Sequence, residues 1–336
     1  MRNVTSITEI IGHTPMLEYP VANPNWQLFL KLEKCNPGQS MKDRMALSMV
    51  EAAERDGKLK PCGTIIESSS GNTGTGLAMI AASKGYKFIA VVDHHAAKEK
   101  IDIMRAYGAE IVFVDGDQSE DKVAVAARET MAARLSREIA NSFFANQADN
   151  PANPEGYASM ATEILDQVKD ARVLIGAIGT GGSLCGTARG IKGKKSDVEV
   201  IAVEPKGSIL FGGPGGPYFQ SGTGNPPDAD IPKNVDYSLI DSHYKVSDKE
   251  AFNTARFMAK HTGILVGGSA GGVLYKALEH IHKRTDAGKM VAIMGDGGEK
   301  YISTVFNDEW MTHKRLLDVS VEIRLRLFSS IAHAKI

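Results

Sequence analysis

The sequence predicts an α/β protein with parallel sheet flanked by helices on both faces, divided into two domains. Short apolar runs of strand length alternate with amphipathic helix-length segments at the spacing of strand–helix–strand units. Glycine-rich turns stand where several strands hand over to helices, at Ser70–Gly71, Gly179–Gly182 and Gly267–Gly268. The chain has 336 residues, more than one hydrophobic core ordinarily holds.

The elements follow in order. Ser6–Ile11 reads as a short helical segment before a GHTP turn, and Trp26–Lys34 as a strand. Pro37 and Gly38 break the chain, Ser40 is placed to cap, and Arg44–Arg55 is helical with Met45, Met49 and Ala52 on one face. Strands are expected at 64–67, 87–92, 110–114 and 142–146, with helices at 73–84, 99–107 and 121–139 between them. Asn146–Pro154 carries two prolines and three asparagines, so it is a loop and a crossing between domains. A helix over 157–168, a strand over 172–178, a helix from Ser183 and a strand over 199–203 continue the pattern. Lys206–Ile231 is rich in Gly and Pro, without apolar periodicity, and reads as a long functional loop. Helices over 248–261 and 272–285, a short strand at 265–266 and a strand over 289–294 complete the core. Beyond it, Val319, Val321, Ile323, Leu325 and Leu327 alternate with polar residues, a period of two that predicts a half-buried strand covering an edge or a subunit contact.

Composition narrows the function. Lys plus Arg is 39 against 40 Asp plus Glu, a formal charge of -1, so no charge surplus draws the chain to nucleic acid or an anionic membrane. No apolar run approaches a membrane span and no signal-peptide pattern precedes Pro20, so a cytoplasmic location is expected. Three scattered cysteines, Cys35, Cys62 and Cys185, make neither a disulfide framework nor a metal site, and read as small apolar residues. Neither the His94–His95 pair nor His280 with His282 has a partner acid at ligand spacing, so no metal is expected. Asp43 and Arg44 read as a structural pair.

Five motifs carry chemistry: Asn36–Arg44 (NPGQSMKDR), Glu67–Gly76 (ESSSGNTGTG), Asn146–Pro154 (NQADNPANP), Gly179–Gly186 (GTGGSLCG) and Gly267–Gly272 (GGSAGG). Lys42 falls in the first turn of a helix, where the positive end of the helix dipole disfavours an ammonium and so favours a nucleophilic neutral amine. Taken alone it reads as a solvated lysine. Gly179–Ser183 follows a strand and opens a helix, an arrangement that binds phosphate through backbone N–H groups. Ser68–Thr73 gathers hydroxyls, an amide and a glycine at a strand-to-helix turn, a nest suited to a carboxylate.

In this order the motifs resemble the cysteine synthase and cystathionine β-synthase family of pyridoxal 5'-phosphate (PLP) enzymes, over about Ile7–Trp310. The resemblance implies fold type II, the tryptophan synthase β-like arrangement of two open, mostly parallel twisted sheets with PLP between two domains. It implies a larger domain of 1–43 with 151–318, a smaller one of 44–150 that closes on substrate, and leaves 319–336 as an extension. Carried over by resemblance, Lys42 is the Schiff-base and catalytic lysine. Asn72 meets the cofactor 3'-oxygen, Gly179, Thr180, Gly181, Gly182 and Ser183 hold its phosphate, and Ser269 meets its pyridine nitrogen. Ser69, Ser70, Gly71, Thr73 and Gln147 take the donor carboxylate, and Gly222 lies near the donor amine. The reaction implied is β-replacement on an L-serine derivative (O-acetylserine, O-phosphoserine or serine) through an α-aminoacrylate, giving L-cysteine from sulfide or a related β-substituted alanine, in a homodimer acting on small amino-acid substrates.

Two departures bear on the nucleophile. Ala148 stands where the family places an aromatic residue, and Met41 with Lys206–Gly213 resembles the branch that makes N-(2-amino-2-carboxyethyl)-L-glutamate with an amino-acid amine. ERDGKLKPCGTIIE and the GSAG loop are instead similar to cystathionine β-synthase. A catalytically silent partner protein and a nucleotide-binding oxidoreductase are the competing classes. Lys42, Asn72 and Ser269 argue against the first, and the spacing of GTGGSLCG against the second.

Overall fold

A computed structural model describes residues 3–94, 96–114, 125–227 and 229–331. In chain order the strands are β1 Met16–Tyr19, β2 Trp26–Leu32, β3 Thr64–Glu67, β4 Lys87–Val92, β5 Glu110–Phe113, β6 Ser142–Phe144, β7 Val173–Ala177, β8 Glu199–Pro205, β9 Ser242–Val246 and β10 Gly288–Met294. The helices are α1 Lys42–Arg55, α2 Asn72–Lys84, α3 Lys98–Ala106, α4 Val125–Glu138, α5 Ala152–Glu155, α6 Ala158–Gln167, α7 Gly182–Lys192, α8 Asp248–Thr262, α9 Gly268–His282, α10 Asp308–His313 and α11 Val319–Phe328. Ile7–Ile10 is a turn of 3-10 helix.

Two sheets form. The larger runs β1-β2-β10-β7-β8-β9 and the smaller β5-β4-β3-β6; only the β1–β2 pairing is antiparallel. Alternation along each strand sets the layers. Leu174, Val200, Ala202, Val291 and Ile293 face the core shared with α1, α6 and α7. Val173, Ile175, Ile201, Val203, Met290 and Ala292 face α8 and α9. In the small sheet Ile65, Phe88, Ala90 and Val92 join the α1 side, while Ile66, Ile89 and Val91 pack with Ala132 of α4. Helix α1 therefore sits in a core fed by both sheets, through Met45, Ala46, Met49 and Val50. Each fully buried side chain of this size contributes about 1.5–3 kcal/mol.

The tail corrects the sequence reading. Val319–Phe328 is a helix, not a strand. Asp318 caps it by accepting from Ser320 N, and Val321, Leu325 and Phe328 recur at helical spacing and are buried in the α8–α9 core. Val319, Ile323 and Leu327 form a second apolar row on the exposed side, 75 %, 56 % and 61 % accessible. Apolar rows on two helix faces, offset by two residues, produced the apparent period of two.

Other expectations shift. The helix expected from Asp121 is described from Val125; residues 121–124, like His95 of the histidine pair, lie outside the described residues. Helix α9 begins at Gly268 rather than Gly272, and the expected 265–266 strand is a single bridge from Val266 to Gly297. Strands β1 and β9 and helix α10, which lack strong periodicity, were not anticipated. Cys35 and Cys62 are exposed, and only Cys185 is buried. Asp43 and Arg44 do not pair. Arg44 is committed to Glu33 and Glu163, each at 2.8 Å, a buried bridge joining α1 to α6 and the end of β2. Asp43 instead accepts from Gly38 N, and burial raises its pKa to about 7.

Candidate active site

Three loops are laced together at the carboxyl end of β10. Met41 N donates to Gly295 O at 2.8 Å, Gly297 N to Gln39 O at 3.1 Å, and Gly267 N to Asp296 O at 3.2 Å. Ser40 bridges Asp296, and Val266 bridges Gly297. Gln39 takes a positive φ of 59° to make the turn. The lacing presents Lys42 as the first residue of α1, two residues earlier than the expected helix start. Met41 is the cap residue, and Ser40 Oγ accepts from Lys42 N at 3.1 Å. Burial lowers the Lys42 amine to about 8, and the nearby Asp296 carboxylate partly offsets that shift.

Asp296 links Lys42, Asn72 and the loop that leads into Ser269. Its Oδ2 accepts from Asn72 Nδ2 at 2.7 Å and from the Tyr301 hydroxyl at 2.6 Å. Its Oδ1 is buried and has no hydrogen-bond partner. A Cβ on Gly267 would lie 2.0 Å from that oxygen, so the loop leading into Ser269 approaches Asp296 as only glycine allows. Lys300 Nζ donates to Asn72 Oδ1 at 2.9 Å and to Gly38 O at 2.8 Å, fixing the amide of Asn72 so that its NH2 faces Asp296.

The remaining predicted residues gather through a second chain of bonds. Ser69 Oγ accepts from the backbone N–H groups of Gly71 and Gly74, both at 3.3 Å, which shapes the turn into α2. Thr73 Oγ1 donates to Gln147 Oε1 at 2.7 Å. Glu67, at the end of β3, accepts from Gln147 N at 3.2 Å, and burial lifts its carboxyl to about 7. Asn153 Nδ2 then links Gln147 O to Thr180 Oγ1, at 2.6 and 3.3 Å. Ala148 is tied through its carbonyl to Asn234 Nδ2 at 3.0 Å.

At the start of α7, Gly181 has a φ of 84°, and a Cβ on Gly182 would fall 1.9 Å from Asn153 Oδ1. The N–H groups of Gly179, Thr180 and Gly181 donate to no group among the described residues. A helix entrance with open amides and no room for side chains fits a phosphate. Gly224 N and Thr223 Oγ1 both donate to Ile178 O, which sets Gly222 beside Gly179. An amine whose pKa burial lowers to about 8, an amide beside a carboxylate and this cradle together fit PLP.

A family model for pyridoxal-phosphate dependent enzymes matches residues 7–296. The chain belongs to the pyridoxal-phosphate dependent enzyme family. This PLP-dependent enzyme is 52% identical over 322 residues to a putative cysteine synthase of Sinorhizobium fredii, covering 96% of each chain. Among solved structures it resembles O-ureido-L-serine synthase, with a TM-score of 0.84, 33% identity, and coverage of 93% of this chain and 100% of that one. It also resembles the O-acetylserine dependent cystathionine β-synthase of Helicobacter pylori, with a TM-score of 0.80, 32% identity, and coverage of 90% and 99%.

Sequence reasoning missed Asp296, Lys300, Tyr301 and Lys100 of this PLP-dependent enzyme. Asp296 carried one usable signal, an acid in a Gly-rich turn directly after the last apolar strand. Lys100, Lys300 and Tyr301 carried none, because only tertiary folding brings them to the site.

Proposed function

We propose that the protein catalyses β-replacement on an L-serine derivative, O-acetylserine, O-phosphoserine or serine, eliminating the β-substituent and adding a nucleophile at the same carbon. The observation that carries the reading is the placement of Lys42, its pKa lowered by burial to about 8, beside the Asn72–Asp296 pair. PLP, when bound, supplies the electron sink that makes the donor Cα–H acidic. In this reading Lys42 holds the cofactor, and Asn72, Ser269 and Gly179–Ser183 hold its ring and phosphate. With cofactor and donor bound, the Lys42 amine would be the group placed to take the proton from the donor Cα.

The donor carboxylate goes to Ser69, Ser70, Gly71, Thr73 and Gln147. Ser69 Oγ uses its lone pairs on Gly71 and Gly74, which leaves its hydrogen to donate. Thr73 occupies the Gln147 carbonyl oxygen, so the Gln147 NH2 is turned toward a ligand. Gly222 approaches the donor amine. Residues 44–150 form the unit that closes on substrate, 1–43 with 151–318 the larger unit, and 319–336 the extension. The exposed row Val319, Ile323 and Leu327 supports a homodimer, which the solution mass from light scattering checks. A cytoplasmic location belongs to this reading; no helix among the described residues is long and apolar enough to cross a membrane.

Incubating the PLP-loaded protein with each donor and sulfide, then assaying L-cysteine by mass spectrometry, tests the reaction. Product with at least one donor, absent in Lys42→Ala, is expected. Absence of elimination from all three donors overturns the reading.

A further inference from the structure

A cavity of about 170 Å³ opens beside Ser70, walled by Ser70, Lys100, Ser221, Gly268, Lys300 and Tyr301. Ser70 belongs to the loop assigned to the donor, and Gly268 precedes Ser269. Such a space holds several water molecules, far more than a sulfide ion fills.

Two cations face this space. Lys100 and Lys300 are only 4 % and 5 % accessible. Lys100 Nζ meets Ser221 Oγ at 3.1 Å and stands 4.6 Å above the Tyr301 ring. Among the described residues, Lys300 Nζ hydrogen-bonds only to the Gly38 carbonyl and the Asn72 amide oxygen. No carboxylate lies within 4 Å of either ammonium among the described residues. Asp296 is the acid that acts on both ammoniums, with Glu99 also acting on Lys100 and Asp43 and Glu299 on Lys300, but none of the four pairs directly with either, and one Asp296 oxygen already accepts from Asn72 and Tyr301. A buried ammonium with neutral partners is costly, and burial lowers both lysines, Lys100 to about 8. A bound anion would relieve that cost. Phe219 and Trp310 also line the cavity, packed edge to face with ring centroids 5.7 Å apart. A lining that combines these cations with aromatic rings suits a short aliphatic chain ending in a carboxylate, rather than a compact phosphate.

We propose that this cavity receives a carboxylate carried by the nucleophile, held by Lys100 and Lys300, so that the acceptor is a small carboxylate-bearing thiol or amine and not sulfide alone. The proposal rests on the β-replacement reading. The C–O bond to the leaving group breaks with its electron pair leaving on oxygen. The acceptor sulfur or nitrogen then forms the new bond to Cβ and loses one proton, and the Lys42 amine returns to Cα the proton it took.

The test compares two thiols that differ only in the anion, 3-mercaptopropionate and 3-mercapto-1-propanol, with O-acetylserine as donor and PLP-loaded enzyme. The wild type is expected to favour the carboxylate thiol at least tenfold in kcat/KM. Lys100→Gln should bring the ratio close to one, and Lys100→Arg should keep most of it. Because the ratio is taken within each protein, a general loss of rate does not enter it. A wild-type ratio near one, or a ratio unmoved in Lys100→Gln, overturns the proposal. So does a variant that raises KM for O-phosphoserine relative to O-acetylserine while the thiol ratio stands, since the cations would then serve the leaving group. The visible spectrum of the bound cofactor on adding O-acetylserine alone separates the two readings. A spectral change with an unmoved ratio overturns only this inference, and no change with any donor in the wild type overturns the β-replacement reading and this inference with it.

Discussion

Asn72 Nδ2 donates to Asp296 Oδ2 at 2.7 Å, joining residues 224 positions apart. The bond ties the N-terminus of α2, beside the small sheet, to the carboxyl end of β10 in the large one. Asp296 is also the carboxylate that holds the Lys42 amine up against burial. Asp296→Ala should therefore let the Lys42 pKa fall further below about 8. The rate of PLP capture by the apoprotein, followed by absorbance against pH, rises as the amine loses its proton. Its midpoint should lie near pH 8 in the wild type and lower in the variant. A midpoint that stays or rises would remove Asp296 from contact with that amine.

Three lysines near the site, Lys42, Lys100 and Lys300, all have lowered pKa values, so nucleophilicity alone does not choose among them. Position does, because Lys42 heads α1 in the loop pinned to residues 295–297. Borohydride reduction of the PLP-loaded protein followed by peptide mapping should label Lys42. Lys42→Ala should lose the label while keeping its circular dichroism spectrum. A label on Lys100 or Lys300 would reassign the site.

Glu67 is buried with its pKa raised to about 7, above the ordinary carboxylate value. A raised folded-state pKa means that its ionised form disfavours the fold. Stability is full below the unfolded pKa and declines as pH climbs through about 7. Glu67→Gln keeps an oxygen for Gln147 N without the charge. It should raise Tm relative to wild type at pH 8.5 and have little effect at pH 5. The opposite ranking would show that the charge itself is needed.

Arg44 lies between Glu33 and Glu163 in a buried bridge. Arg44→Met fills similar volume but leaves Glu33 buried without its cation, a loss of about 3–5 kcal/mol. Urea unfolding measures it, and a loss below about 1 kcal/mol would mean the site hydrates or rearranges.

Leu325 of α11 is fully buried against α8 and α9. Leu325→Ala should destabilise by about 2–5 kcal/mol, whereas the exposed Leu327→Ala should leave monomer stability within about 0.5 kcal/mol. Equal effects would contradict the helical register of the tail.

The sequence by itself determined the α/β class, the order of most strands and helices, and the motifs from which the family was recognised. These are local properties: apolar period, glycine at strand-to-helix turns, and a lysine at a helix start. It misread Val319–Phe328 because two apolar helix faces offset by two residues imitate strand alternation. Only burial of Val321, Leu325 and Phe328 against α8 and α9 decides between them. It also paired Asp43 with Arg44, adjacent in sequence, although neighbours on a helix point in different directions. Tertiary structure alone decided that Asp296 joins Lys42, Asn72 and Gly267, and that Lys100 and Lys300 face one cavity. These contacts link α1, α2, α3 and the turn after β10, and no local pattern encodes them, because they arise only when the two sheets pack around the core that α1 fills.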